Sequence, residues 1–353
     1  MVTGEGRLED KISIIVPCFK AEKYIATILC DVRAQRYANW ELLVVGNGPG
    51  QQIQADIVRR VSAEDSRVRY LSVAPAGVSC ARNFGIEHAT GDWIAFADAD
   101  DRVPVDWLLN FSRCFPPRPD MIAGGIREQR YGARHIVEGD LEIESDVLYV
   151  EELRTGLSVF ASNLAVMYSP CSKIFRRDFL LNSGILFDTH LSIYEDGVFC
   201  LQLALKCRSM SFVRQTGYVY CIREGSAIGR YHENLPTALK TRRGLLRALS
   251  VARGDPEYEV QRLHCLQYAA DALDLLLNTF RSGSPFGFAS KVSLAKELIR
   301  DEDLKISWSG AGPIRGNAPL KLFKALWRVR SASFCVCVLQ CLLWAKRLVR
   351  RFR

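Results

Sequence analysis

The chain has no CxxC pair, no internal repeat and no low-complexity tract. Its twelve cysteines are scattered. Cys18, Cys30, Cys80, Cys200, Cys207 and Cys221 lie in apolar stretches, where cysteine acts as a small hydrophobe. A chain of 353 residues buries a large core without disulfides, so a reducing cytoplasm is the expected compartment. No apolar run approaches 18 residues, which speaks against a spanning helix. The first ten residues are polar and lean acidic, so no secretory signal is expected. Acidic residues are absent from Lys321 to Arg353, where nine Lys or Arg stand. Without that tail, 38 basic residues face 39 acidic ones, so the net charge of +8 belongs to the tail. A nearly neutral body with no recognisable binding module argues against a nucleic-acid partner.

What is present alternates. ISIIVP (12–17) is a β-branched apolar run that Pro17 is expected to stop. ELLVV (41–45), VRYLSV (68–73) and WIAFA (93–97) read as further strands. Helical spacing falls over 21–35, 52–62, 77–89 and 104–115, between and after these strands. This order predicts an α/β fold with a mostly parallel sheet covered on both faces. Ligands bind such sheets beyond the carboxyl ends of the strands. Segments 17–20, 46–50 and 98–101 all sit at carboxyl ends and are expected to share one crevice. Residues 120–170 are irregular and suit edge strands, and 171–207 resume a strand, loop and helix pattern. Helices are expected over 236–251 and about 257–281, with a break at SGSPFG (282–287).

Three carboxylates close the fourth strand: Asp98, Asp100 and Asp101. Crowded like charges must be solvated or paired. A polar turn or helix cap satisfies them; so does a hard cation facing a phosphorylated ligand. Arg82 follows Ala76-Gly77 at the start of a helix, a ready phosphate site or else a surface salt bridge. Asn83 beside it is a support or a cap. Glu195 and Asp196 begin another helix, where acidic residues favour the dipole and where a carboxylate can also act as a base.

SIIVPCFKAEKYI, QRYANWELLVVGNG, GVSCARNFGIEHATGDWIAFADADD, SKIFRRDFL and LSIYEDGVF occur in that order over residues 11–225. The ordered set resembles the family 2 glycosyltransferases with a GT-A fold, of the bacterial surface-polysaccharide kind. The resemblance implies inverting transfer of a sugar from a nucleoside-diphosphate donor with a divalent cation, Mn²⁺ or Mg²⁺. By matching position, Asp98 lies near the ribose and the metal, and Asp100 ligates the metal. Asp101 supports them from the position after the motif. Arg82 lies near the diphosphate with Gly77 in the loop before it. Pro17, Cys18 and Phe19 form the first nucleotide-contacting loop, with Phe19 packing on the base or in the core. Asp196 is the catalytic base, with Glu195 tuning it or meeting the acceptor.

Departures bear on specificity. Gly46-Asn47 replaces two acidic residues, one of which pairs with the nucleobase in the family. Asn47 retains an acceptor oxygen for a base N–H, so uracil remains compatible. Lys20 stands where asparagine is common. Because an acid is missing, a catalytically silent nucleotide-sugar-binding partner of another transferase is the alternative function. A processive polymerase is disfavoured, since no QxxRW segment or transmembrane bundle is present. By the same resemblance, Arg223, Ser226, Arg230 and His232 are donor-side candidates, with His232 a further metal ligand or a structural residue.

Three regions are expected: a catalytic domain (11–225), a helical region (226–318) and a basic amphipathic tail (319–353). In the tail, Leu320, Phe323 and Trp327 share a helical face, and basic residues flank SASFCVCVLQCLLWA. An in-plane helix on an anionic membrane surface is expected, with packing on protein or an oligomer interface as the alternatives. The partners implied are a nucleotide-sugar, a glycan or lipid-linked glycan acceptor, and peripheral contact with the cytoplasmic membrane face.

Overall fold

The computed structural model describes residues 10–48, 50–74, 76–130, 136–139, 147–151, 155–157, 164–222, 230–312 and 318–351. Two compact units divide the chain, Met1–Glu224 and Gly225–Arg353.

The first unit is built on a nine-stranded sheet among the described residues. Its strands are β1 Ile12–Cys18, β2 Trp40–Asn47, β3 Val68–Val73, β4 Trp93–Phe96, β5 Met121–Arg130, β6 Ile136–Gly139, β7 Val147–Val150, β8 Lys173–Arg176 and β9 Met210–Ile222. The spatial order is β3-β2-β1-β4-β8-β5-β9-β7, with β6 paired to β5. β1 to β4 pair in parallel, β8 runs antiparallel between β4 and β5, and β9 runs parallel to β5. Every residue of β1, β2 and β4 is buried, which explains continuous apolar runs in place of alternation. Helices α1 Ile25–Arg33, α2 Gln52–Glu64, α3 Val78–His88, α4 Trp107–Ser112, α5 Leu164–Tyr168, α6 Arg177–Ser183 and α7 Glu195–Lys206 connect the strands. The aromatic core joins Phe96, Phe175, Phe187 and Phe199, with Phe187 stacked on Phe199 at 3.8 Å.

The structure changes several sequence expectations. β1 does not stop at Pro17 but pairs through Cys18, opposite Gly46. The Ile15 carbonyl accepts from Ala97 on the β4 side, so Pro17, two residues on, faces past the end of β4. Its missing N–H therefore leaves no ladder bond unmade. The helix expected over 104–115 shrinks to α4, because the Pro104 carbonyl accepts Trp107 N–H in a turn and Leu108 N–H bonds the Gln35 side chain. Cys30 is exposed on α1 instead of lying in the core. All twelve cysteines are free thiols.

The second unit is helical: α8 Leu235–Ala252, α9 Glu257–Asn278, α10 Phe288–Arg300, α11 Glu302–Gly310, α12 Ala318–Val329 and α13 Ala332–Arg351. Its core takes in Leu273, Leu276, Leu298 and Trp308 together with Leu320, Phe323, Leu326, Val336 and Leu339. The tail face bearing Leu320, Phe323 and Trp327 is thus covered by protein, and Trp327 donates to the Leu298 carbonyl at 3.3 Å. Apolar burial on neighbouring helices takes the place of the bilayer for that face. Among the described residues, no helix is long and apolar enough to cross a membrane.

Candidate active site

The parallel strands β1, β2 and β4 end side by side, and their carboxyl-terminal segments carry most of the expected site. Residues 97–101 leave β4 in a turn, with Asp101 N–H donating to the Asp98 carbonyl. The three carboxylates of this turn have different surroundings. Asp101 is 2% exposed and accepts from Tyr218 Oη at 2.7 Å and Cys221 N at 2.8 Å. Burial and the Asp98 carboxylate push Asp101 well above the usual carboxylate range, against the hydrogen bonds that lower it. It is a buried strut. Asp98 is partly exposed, and its N–H donates to the same Tyr218 oxygen. Asp100 is exposed.

Arg82 binds this turn to the acidic helix. It sits in α3 at 4% exposure and is no surface residue. Nη2 donates to Asp98 Oδ1 at 2.9 Å, and Nη1 stands 3.6 Å from Glu195 Oε1. The guanidinium lies over the Phe187 ring at 5.1 Å. Nε and Nη1 are buried and make no hydrogen bond with any described group. Burial alone would lower the Arg82 pKa, but the surrounding carboxylates outweigh it and raise it, so the charge is permanent.

Glu195 and Asp196 open α7 after Tyr194, whose backbone is left-handed at φ 63°. Asp196 Oδ1 accepts from Gly197 N at 2.7 Å. Burial raises the Asp196 pKa; Arg82 and that bond oppose the rise. Glu195 is pushed up to about 7 by burial and by the Asp196 charge, with Arg82 opposing. Asn83 is a fastener: its amide donates to Phe187 O and accepts from Phe187 N, both at 2.9 Å.

At the end of β2, Asn47 is 2% exposed and donates through Nδ2 to the Gly77 carbonyl at 3.0 Å. Its oxygen accepts from no described group, which leaves one acceptor. Gly77 caps α3 at φ 128°, a conformation that favours glycine. Gly46 is required by space: a Cβ there would meet the Tyr70 hydroxyl and Gln51. Tyr70 and Ser72 donate to Gln51 Oε1 at 2.9 and 3.2 Å. Neutral groups thus occupy a wall where an acid was expected. Phe19 is 45% exposed beside Gly48, with the Lys20 ammonium 5.1 Å from its ring centre, so it is no core residue. Pro17 is buried within β1.

Of the donor-side candidates, Arg223 and Ser226 lie outside the described residues. Arg230 and His232 belong to the second unit, where His232 is buried and exchanges hydrogen bonds through its backbone with Asn278. Tyr218, Phe187 and Lys173 were not legible as site residues. The only sequence signal was that Lys173 stands inside the motif SKIFRRDFL.

Asp98 and Asp100 suit a hard cation, being two carboxylates on one turn. Among the described residues no group of three His, Cys, Asp or Glu could hold a metal unaided. Such a site fits an ion that keeps water and phosphate oxygens as its other ligands.

Residues 13–182 match the family model described as Glycosyl transferase family 2. Glycosyltransferase GlyA of Streptococcus pneumoniae is 26% identical over 62% of this chain and 32% of its own. The Escherichia coli protein WfgD, a UDP-Glc:alpha-D-GlcNAc-diphosphoundecaprenol beta-1,3-glucosyltransferase, is 27% identical over 63% of this chain and 87% of its own. The crystal structure of S. aureus TarS 1–349 with UDP-GlcNAc superposes with a TM-score of 0.55 at 18% identity, covering 85% of this chain and 88% of that one. It shares the GT-A fold. The chain spans less than two thirds of several curated relatives, about a third in the case of GlyA.

Proposed function

We propose, from the premise that residues 13–182 are a glycosyl transferase family 2 domain, that the chain transfers a sugar with inversion from a UDP-sugar to a saccharide or lipid-linked acceptor. The observation that carries this is Arg82, a buried permanent cation with unmet N–H groups between Asp98 and Glu195. A diphosphate meets such donors with anionic oxygens. Asn47 offers its free oxygen to a base N–H, Phe19 offers its ring face just past the end of β1 that contains Pro17, and Gly77 shapes the loop before α3. Asp98 serves the ribose and the cation, and Asp100 the cation. A divalent ion, when bound, neutralises charge developing on the leaving diphosphate. The Asp196 carboxylate takes the proton of the acceptor hydroxyl as its oxygen attacks the anomeric carbon. The anomeric bond to the diphosphate breaks on the opposite face, and UDP leaves. Glu195 borders the acceptor. The acceptor named for WfgD supports a lipid-linked glycan in polysaccharide assembly.

The test is nucleoside-diphosphate release from UDP-, GDP- and dTDP-sugars with Mn²⁺, Mg²⁺ or EDTA. Release from the UDP donor, suppressed by EDTA and lost in Asp100→Ala, is the expected result. Donor binding by calorimetry with no release would instead make the chain a silent nucleotide-sugar-binding partner of another transferase, and neither binding nor release would overturn both readings.

The tail supports a second part of the reading, peripheral contact with an anionic membrane on the cytoplasmic side. With its inner face packed, α13 still turns Phe334, Cys337, Cys341 and Leu342 outward, in a segment free of acidic residues. Such a face suits the interface of an anionic bilayer. Full-length chain is expected to float with phosphatidylglycerol vesicles and not with phosphatidylcholine ones. Phe334→Glu with Leu342→Glu is expected to abolish flotation; unchanged flotation would remove this contact from the reading.

A further inference from the structure

SKIFRRDFL is a motif whose lysine has no role in the chemistry above. Lys173, at the start of β8, is 0% exposed. Its Nζ donates to the Val166 carbonyl, to the Ser169 carbonyl at 2.6 Å and to Ser172 Oγ at 3.2 Å. A buried ammonium costs several kcal/mol unless its donors are met, and all three are met here. Burial pushes the lysine below its usual range, and the Asp196 carboxylate opposes that fall.

The oxygens it gathers belong to one structure. Val166 is in α5, and Ser169 caps the 3-10 turn Pro170–Ser172 through a bond from Cys171 N at 3.2 Å. Ser172 also donates to Val166 and Ser169 carbonyls, so the clamp is closed. Both α5 and the turn pack against α7, the helix that begins with Glu195 and Asp196. The contact reaches the site itself: a Cβ at Gly197 would stand 3.0 Å from Tyr168 Cδ1. Gly197 N–H is the group that holds Asp196 Oδ1.

We propose that Lys173 is a positioning residue, whose clamp on Val166, Ser169 and Ser172 seats Tyr168 against Gly197 and thereby aims Asp196 at the acceptor. The proposal rests on the reading of Asp196 as the base. The structure explains why a lysine is needed: a straight four-carbon stem carrying three donors spans oxygens from two consecutive elements at once. A hydrophobe of equal length would leave the single Ser172 hydroxyl to serve two buried carbonyls, so one of them would lose its donor.

The test compares Lys173→Met and Tyr168→Ala with wild type in the full chain. Lys173→Met is expected to lower kcat for transfer about 10²-fold, the size of loss that roughly 1 Å of misplacement produces. Donor KM and the calorimetric Kd for UDP are expected to stay at wild-type values, since Arg82, Asn47 and Asp98 are untouched. Tyr168→Ala keeps the ammonium and removes the contact to Gly197, and is expected to reproduce the loss in kcat. Wild-type kcat in Tyr168→Ala overturns the proposal, even if Lys173→Met fails to fold. A Lys173→Met variant that loses UDP affinity in step with kcat overturns it too, because that pattern is general loosening. A wild-type chain that binds UDP and transfers nothing overturns the parent reading and this one with it.

Discussion

Asp196→Asn is expected to cut kcat for transfer by about 10²–10⁴-fold, the range that a positioned general base supplies. The substitution is nearly isosteric. Its amide oxygen still accepts from Gly197 N, so the start of α7 keeps its shape. UDP binding is expected to persist, because Arg82, Asp98 and Asn47 are unchanged. Slow hydrolysis of the donor to UDP is expected to survive better than transfer, since it needs no acceptor proton removed by this carboxylate. The pH profile provides an independent check. A base works deprotonated, so transfer by the wild type falls on the acid side as Asp196 takes up a proton. Burial raises that carboxyl, which places the acid limb above the ~3.9 of an ordinary aspartate. The variant is expected to lose this limb along with the rate. Transfer at wild-type kcat in Asp196→Asn would exclude Asp196 as the base.

The residues that bear these expectations were unequally legible. β1, β2 and β4 were readable because strands buried on both faces must be apolar at every position. Their carboxyl ends followed from topology, and Asp98, Asp196 and Arg82 came with the motifs. The partnership among them did not. Asp98 and Glu195 are separated by nearly a hundred residues, and only the fold brings both to one guanidinium. β9 was missed because its run is interrupted at Arg214 and at Gly217, where the backbone is left-handed. Tyr218, which ties Asp98 to Asp101, went unseen with it. Lys173 was hidden for another reason. Lysine is almost never fully buried, so its residue type pointed to the surface. The amphipathic face of α12 was readable from spacing, but spacing cannot distinguish a bilayer from a neighbouring helix. The packing of Leu320 and Phe323 on the Trp308 core decided for the helix.

Arg82→Met is expected to cost both the fold and the donor site. It removes the cation that Asp98 and Glu195 share and leaves carboxylates facing one another in a buried setting. Removing one partner of a buried ion pair costs about 3–5 kcal/mol. The partial exposure of Asp98 places this case at the lower end. At about 3 kcal/mol, a domain of this size loses roughly 6–12 °C in Tm. The penalty carries a pH signature with a definite sign. Glu195 already titrates above its ordinary value in the wild type, at about 7. Without Arg82 it rises further, because the group that opposed the rise is gone. A carboxyl raised on folding weighs against the fold in full above its folded value, and the penalty fades as pH falls from there toward its unfolded value. The stability gap between variant and wild type is therefore expected to be widest above pH 7 and to narrow toward pH 5. Thermal melts across that range measure it directly. Arg82→Lys separates charge from shape. One ammonium restores much of the stability at neutral pH, but it cannot fork between Asp98 and Glu195 and still present two N–H groups to a diphosphate. UDP affinity is thus expected to stay low in Arg82→Lys while Tm recovers. A gap that is flat with pH would mean that Arg82 holds the site by packing on Phe187 instead of by charge.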